Sequence, residues 1–271
     1  YFMKIIILTG NETRHEFFRK KIASDARISV LTTYCEGAEK SLENRIKLNK
    51  ESSELELQHV RARSQAEKDF FEVSLNSIND LSNAHYISKG EINDEKLVQD
   101  IINKQPDLLV CYGSSLIRSK LLTEFEGHFL NVHLGLSPYY RGVGTNIWPL
   151  INNEPDMVGA TFMYINEGID TGKIIHQIRP DIFLGDSPHS IGNRLIMKMT
   201  NTYADIIANF DNLTNEKQPI ATGKLYMQKD FDSIACHKLY QKFYNGLVEK
   251  FLISRDQKKF PYIVENRGIN K

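Results

Sequence analysis

Asn131 and His133 flank Val132 in the apolar run Phe129-Leu130-Asn131-Val132-His133, where polar residues need a reason. Two positions apart on an extended strand, they point to the same side. Asp170 follows a second apolar run, residues 159–165, in the loop Asn166-Glu167-Gly168-Ile169-Asp170-Thr171-Gly172. If both strands end at one edge of a sheet, an amide, an imidazole and a carboxylate converge there. That set suits acyl transfer. The amide can donate to a carbonyl oxygen as it becomes an oxyanion. The imidazole can donate to the same oxygen or relay a proton. The carboxylate can favour the protonated imidazole and order a water. None of the three need be a nucleophile, because an incoming amine can attack directly. Spacing alone leaves plainer roles open: a histidine at a strand end is often purely structural, and an Asp before Thr-Gly is often turn chemistry.

The surrounding pattern shows what positions these residues. Residues 4–8 form a β-branched run ending at Thr9-Gly10-Asn11, followed by a helical stretch carrying Phe17, Phe18 and Ile22. Strand, glycine turn and helix open an α/β unit. Residues 28–33 read as a second strand and 93–102 as a helix with Leu97, Ile101 and Ile102 on one side. Residues 108–112 are continuously apolar, as a parallel strand buried on both faces would be. Together with 129–133 and 159–165, these elements predict a Rossmann-like, mostly parallel sheet with helices on both faces and an active site at the carboxyl ends of its strands. A polar insertion near 36–85 reads as one or two long helices, with Leu55, Leu57, Val60, Phe70, Phe71 and Val73 as an irregular apolar face. A solvated helical excursion is the plainer expectation for it, and a cover over an acceptor site the sharper one. The expected division is a catalytic domain over 1–212 and a small C-terminal extension over 213–271. The extension holds eleven Lys and Arg against six Asp and Glu, an excess ordinary for a solvated face.

Composition excludes several classes. Lys plus Arg and Asp plus Glu both number 34, so no global field favours nucleic acid or a membrane surface. No apolar run approaches the roughly 20 residues needed to span a bilayer. Cys35, Cys111 and Cys236 are scattered and make no CxxC pair, so no disulfide framework or metal site is expected, and a reducing, cytoplasmic setting fits best. Met3 is the expected natural start, with Tyr1-Phe2 as a remnant ahead of it.

The stretch Asn131-Val132-His133-Leu134-Gly135-Leu136-Ser137-Pro138-Tyr139-Tyr140-Arg141-Gly142 resembles the signature of the folate-dependent formyltransferases, N-[IV]-H-x-S-L-L-P-x-[YF]-R-G. Gly159-Ala160-Thr161 through Gly172 resembles the companion block of that family, in the same order and at a plausible separation. The likeness runs from about Leu108 to Gln177, and more weakly from Met3. It implies 10-formyltetrahydrofolate as donor, no metal, and Asn131, His133 and Asp170 as the catalytic trio. It also implies that Tyr112, Gly113, Ser114, Ser115 and Leu116 bind the pterin largely through backbone, and that Asn166, Glu167, Gly168 and Ile169 close over it. Glycines at 113 and 168 would let backbone approach a flat ring closely. One departure is visible. The usual Ser-Leu-Leu-Pro is here Gly135-Leu136-Ser137-Pro138, in a loop expected to border the acceptor.

The acceptor is read from what surrounds the core. Initiator-tRNA formyltransferases carry a larger basic domain after it, and about sixty residues are too few for that. Glycinamide ribonucleotide formyltransferases lack both the insertion and this tail. Formyltetrahydrofolate hydrolase adds an N-terminal module. The chain is most like the sugar N-formyltransferases, which implies a small amino-sugar acceptor, nucleotide-linked, with no nucleic-acid or membrane partner. A non-catalytic folate-binding module remains the alternative of another class. Gly10, Asn11, Arg14 and Arg141 are candidate acceptor contacts, the first three because backbone N–H groups between a strand and a helix favour an anion. His15 could add charge there, although an Asn or Thr helix cap is the plainer reading. His59, Arg61 and Arg63 could reach an acceptor phosphate or belong to a solvated face. The tail aromatics Tyr240, Phe243 and Tyr244, with Leu247, could pack on the core, stack on a base, or join two subunits in a homodimer.

Overall fold

The computed structural model describes residues 2–219 and 223–270, so Tyr1 lies outside it. The chain runs β1 (Met3–Gly10), α1 (Thr13–Ala23), β2 (Ile28–Glu36), α2 (Leu42–Leu48), α3 (Glu54–Ser77), β3 (Ala84–Ile87), α4 (Glu95–Asn103), β4 (Leu108–Tyr112) and α5 (Ser119–Glu124). It continues through β5 (Phe129–His133), β6 (Tyr140–Gly142), α6 (Trp148–Ile151), β7 (Ala160–Tyr164), β8 (Ile174–Ile178), α7 (Pro188–Ala208), β9 (Lys224–Tyr226), α8 (Ser233–Tyr244) and α9 (Leu247–Ser254). The main sheet has the order β3-β2-β1-β4-β5-β7-β8. From β3 to β5 all neighbours are parallel.

The apolar runs of β1 and β4 follow from burial on both faces. Ile5, Ile7, Leu108 and Val110 pack with Phe17, Phe18 and Ile22 of α1, Val60 and Phe71 of α3, and Leu195, Met199 and Tyr203 of α7. Ile6, Leu8, Leu109 and Cys111 pack on the other side with Val98 and Ile101 of α4 and Leu121 of α5. The chain leaves β1 toward β2 on one side and continues as β4 and β5 on the other. The carboxyl ends of β1 and β4 therefore border a topological switch point, the usual place for a ligand in such sheets.

The strand predicted over 159–165 is present, but its direction differs from a simple parallel continuation. β7 is antiparallel to β5, with His133 opposite Thr161 and Leu130 opposite Tyr164. β8 is antiparallel to β7. The carboxyl ends of β5 and β7 thus lie at opposite edges of the sheet, and convergence of Asp170 on His133 needs another cause.

α3 is not a solvated excursion. Ser53 caps it reciprocally: the Ser53 hydroxyl accepts from Glu56 N (3.2 Å) and Glu56 Oε2 accepts from Ser53 N (2.8 Å). It packs against α1, α7 and α8, burying Val60 and Phe71. Of the expected apolar face, Val73 is instead 79% exposed. Past residue 213 the chain adds to the same core through Tyr226, Phe231, Cys236, Leu239 and Leu247. β9 pairs with β6 in a separate two-stranded sheet, and the Tyr226 ring stacks on Trp148 with centroids 4.4 Å apart. The tail aromatics divide: Phe243 packs on the core, whereas Tyr244 is exposed. Among the described residues no helix is long and apolar enough to cross a membrane.

Phe71 is fully buried and its ring lies 4.6 Å from that of Phe17. Phe71→Ala is expected to lower the unfolding free energy by about 3–5 kcal/mol in urea denaturation. A loss below about 1 kcal/mol would mean that α3 is an appendage, not part of the core.

Candidate active site

β5 delivers Asn131 and His133 to one face, and a single cleft of about 600 Å³ is lined by both, together with Asp170. Asp170 reaches this face because the loop after β7 folds back across the sheet. Asn166 staples that loop, its Oδ1 accepting from Gly168 N (3.1 Å) and Thr171 Oγ1 (2.9 Å). Gly172 lies against the Tyr164 carbonyl, where a Cβ would come within 1.7 Å of the oxygen. Asp170 itself takes a left-handed backbone, with φ 53°.

The carboxylate of Asp170 is held at two points. Oδ2 accepts from Gly142 N at 2.9 Å and lies 3.3 Å from His133 Nδ1. Gly142 has φ 91°, and a Cβ there would meet the Tyr226 carbonyl at 2.1 Å. The arginine-glycine pair of the motif is thereby explained through its glycine: only glycine lets β6 turn beside β9 and aim this N–H at Asp170. On the far edge of the imidazole, Nε2 donates to the Tyr140 carbonyl (2.9 Å) and approaches Thr145 Oγ1 (3.2 Å). Thr145 Oγ1 already donates to the Leu134 carbonyl (2.7 Å), so it too accepts from Nε2. The ring is fixed with a proton on Nε2, and its Nδ1 edge faces the carboxylate.

Sequence reading missed three contributors to this arrangement. Thr145 is one. Gln218 is the second: its Nε2 donates to the carbonyls of Asp170 (3.0 Å) and Gly172 (2.7 Å), tying the loop down from the C-terminal segment. Glu36, at the end of β2, is the third. It is buried, and accepts from Ser115 N (2.5 Å), Gly90 N (2.9 Å) and Lys89 Nζ (3.1 Å). No short-range pattern marks Gln218 or Glu36, because both act across long separations in the chain. Gly135 and Ser137, where the motif departs from its usual form, pack behind the trio. A Cβ on Gly135 would meet His133 Nε2 at 2.4 Å, and Ser137 N donates to Thr161 Oγ1 (3.0 Å).

The other expected residues fall as follows. Tyr112, Gly113, Ser114, Ser115, Leu116, Asn166, Gly168 and Ile169 line the cleft, as do Gly10, Asn11 and Arg14. Glu167 and Arg141 do not line it. Glu167 is exposed, and the buried Arg141 Nε has no partner among the described residues. The Tyr112 ring turns inward, 5.0 Å from His15 and 5.2 Å from Phe18 between centroids, so its backbone alone shapes the loop. Gly113 takes φ 72°, and a Cβ on it would strike His15 Nε2. α1 is capped by Glu12, not by Asn11 or Thr13. The Glu12 N–H donates to His15 Nδ1 (3.3 Å), which leaves that imidazole neutral. Burial, then the charges of Arg14, Arg63 and Lys89, hold His15 well below the usual histidine range, so it adds no positive charge.

α3 and α7 complete the cleft, with α8 behind them. His59 and Arg63 of α3 line it, whereas Arg61 is exposed. Tyr240 Oη lies 2.9 Å from His59 Nδ1 and 3.4 Å from His189 Nε2, linking insertion, core and tail. Burial, then His189 and Arg63, lower the His59 pKa to about 3. Burial, then Arg63, lowers that of His189 to about 4.

A family described as formyl transferase matches residues 4–207. The methionyl-tRNA formyltransferase of Alkaliphilus oremlandii is 33% identical over 106 residues, 39% of this chain and 34% of that protein. The methionyl-tRNA formyltransferase of Geobacter sulfurreducens is 28% identical over 160 residues, 59% of this chain and 47% of that protein. The chain thus spans less than half the length of either relative. Among solved structures, a sugar N-formyltransferase from Shewanella sp. FDAARGOS_354 superposes with a TM-score of 0.57 at 20% identity, covering 89% of this chain and 88% of that one. A 4-N formyltransferase from Francisella tularensis gives 0.55 at 22% identity, covering 84% and 78%. These likenesses establish the fold.

Two predictions follow from this geometry. Gly142→Ala should lower kcat by about tenfold or more, because the strained turn withdraws the N–H that holds Asp170; unchanged kcat would remove that N–H from the mechanism. His59 and His189 should also make stability acid-sensitive. Unfolded, each protonates near ~6.5. Folded, they do so only near 3 and 4. The unfolded state therefore binds more protons between these limits, and stability falls as pH drops from about 6.5 toward 4. Denaturant titrations of the His59→Gln, His189→Gln double variant should show a flatter pH dependence across that window.

Proposed function

Because this chain belongs to the formyl transferase family, we propose that it transfers a formyl group from 10-formyltetrahydrofolate to the primary amine of a nucleotide-linked amino sugar. The observation that carries the reading is one cleft joining the trio to two different walls. One wall, from Gly113 to Ile117 with Met163, Ile165 and Ile169, is largely apolar and shaped by the left-handed Gly113. It suits a flat ring system. The other presents Arg14, His59, Arg63, His189 and Asn193, polar groups suited to hydroxyls and anions. A cleft of about 600 Å³ suits a small acceptor. Balanced charge, 34 of each sign, argues against tRNA, whose binding draws on a cationic surplus.

The donor supplies a formyl carbon that an amine can attack, with N10 as the leaving atom. Asn131 makes no side-chain hydrogen bond among the described residues and lines the cleft, so its amide can donate to the oxygen that gains charge. His133 is fixed through Nε2, which leaves its Nδ1 edge to pass a proton from the attacking amine toward N10. Asp170 stabilises the imidazolium that forms and holds the ring in place.

Incubating amino-sugar nucleotides with 10-formyltetrahydrofolate should yield a product heavier by one formyl group less one hydrogen, read by mass spectrometry. The rate should fall at acid pH as the acceptor amine protonates. His133→Ala should reduce turnover by about a thousandfold or more while circular dichroism stays unchanged. Near-full activity in that variant would defeat the mechanism, and formate release without any amine would point to a hydrolase.

A further inference from the structure

We propose that Arg63, beside Arg14, forms an anion subsite in the cleft that takes a phosphoryl group of the acceptor. The proposal rests on the sugar-nucleotide reading for the identity of the acceptor, but the subsite itself stands on geometry. Arg14 Nη1 donates to Glu67 Oε1 (2.9 Å) and Oε2 (3.2 Å), and its Nη2 pairs with Glu12. Arg63 Nε lies 3.4 Å from the same Glu67 Oε1. One carboxylate oxygen therefore serves two guanidinium groups. Both terminal nitrogens of Arg14 are engaged, whereas neither Nη of Arg63 has a partner among the described residues. Its side chain is 34% exposed, and both arginines line the cleft. A planar fork with both terminal nitrogens open is the geometry that matches two phosphoryl oxygens.

The charges on this wall point the same way. Arg14, Lys40, Arg63 and Lys89 stand against Glu12, Glu36 and Glu67. Each of these carboxylates already has a cationic partner. His15, His59 and His189 are neutral, so the positive charge facing this part of the cleft rests on its arginines and lysines. The charge of Arg14, then burial, holds Arg63 below the usual guanidinium range, a repulsion that an anion between them relieves. The buried Tyr112 hydroxyl, in the field of the same Arg14, Glu67 and Arg63, has no partner among the described residues.

Calorimetric titration of the full chain with pyrophosphate, and separately with folinic acid, tests the subsite without turnover. Wild-type protein should bind pyrophosphate. Arg63→Gln should weaken this roughly ten- to hundredfold, the effect of losing a charged hydrogen-bonding fork. Arg63→Lys, which keeps the charge, should fall between them. Folinic acid affinity should be unchanged in both variants, which also reports that they are folded. If Arg63→Gln fails to fold, Arg63→Lys decides. No pyrophosphate binding, or equal binding by wild type and variant, would overturn the subsite. Loss of folinic acid affinity instead would also overturn it and assign the guanidinium to the carboxylate tail of the donor. If no amino sugar is formylated yet pyrophosphate binding depends on Arg63, the acceptor reading fails and the subsite stands.

Discussion

Asp170 meets His133 from the wrong end of its own strand. Because β7 runs antiparallel to β5, Tyr164 lies beside Leu130, away from His133. A carboxylate six positions further on reaches the imidazole only if the chain doubles back over the sheet. That return uses a left-handed aspartate, a glycine pressed on the Tyr164 carbonyl and an Asx staple at Asn166. A non-glycine residue in that region carries strain of about 1–3 kcal/mol, which persists only where the surroundings over-determine it. Gly142 and Gln218 do so here, one through the side chain of Asp170 and the other through its carbonyl. The His133–Asp170 pair is thus fixed from outside the parallel sheet, by β6 and by the chain beyond 213.

Electrostatics divides the cleft. At its β5 end, the Nε2 bond to Tyr140 orients His133 so that its free edge meets a carboxylate. At the α1 and α3 end, burial has the opposite effect on histidine: His15, His59 and His189 are held neutral, and the positive charge rests on guanidinium groups that stay charged when desolvated. One residue type faces a carboxylate in one place and forms a neutral wall in another. The difference is set by which partners face each ring.

The sequence pattern shows the trio, the buried strands β1, β2, β4 and β5, and α1, because apolar period and motif are local properties. Strand direction is not local, so the antiparallel β7 and the return of its loop are invisible in periodicity. β3 is four residues long with two of them exposed, and β8 carries His176 and Gln177, so neither shows a strand pattern. α3 misleads for another reason. Its buried face includes Glu56, His59 and Glu67, which composition reads as solvated and only tertiary partners reveal as satisfied. Gln218 and Glu36 bond across 48 and 79 positions, beyond the reach of any spacing rule.

The three-part contact of His59, Tyr240 and His189 gives the molecule a separable design. Asn131, His133 and Asp170 lie on β5 and the loop after β7. The polar wall is assembled from α1, the α3 insertion and α7, with His59 of α3 and His189 of α7 joined from behind through the Tyr240 hydroxyl of α8. That hydroxyl has one proton, so it donates to one imidazole and accepts from the other, which sets the same tautomer in both neutral rings, because it meets Nδ1 of one and Nε2 of the other. Substitutions in α3 or α8 therefore change the shape and hydrogen bonding of the polar wall without touching the His133–Asp170 geometry. On the reading proposed above, acceptor choice and formyl chemistry are written in different segments of one chain. A fold that keeps its trio can then change acceptor by changing the helices that surround it.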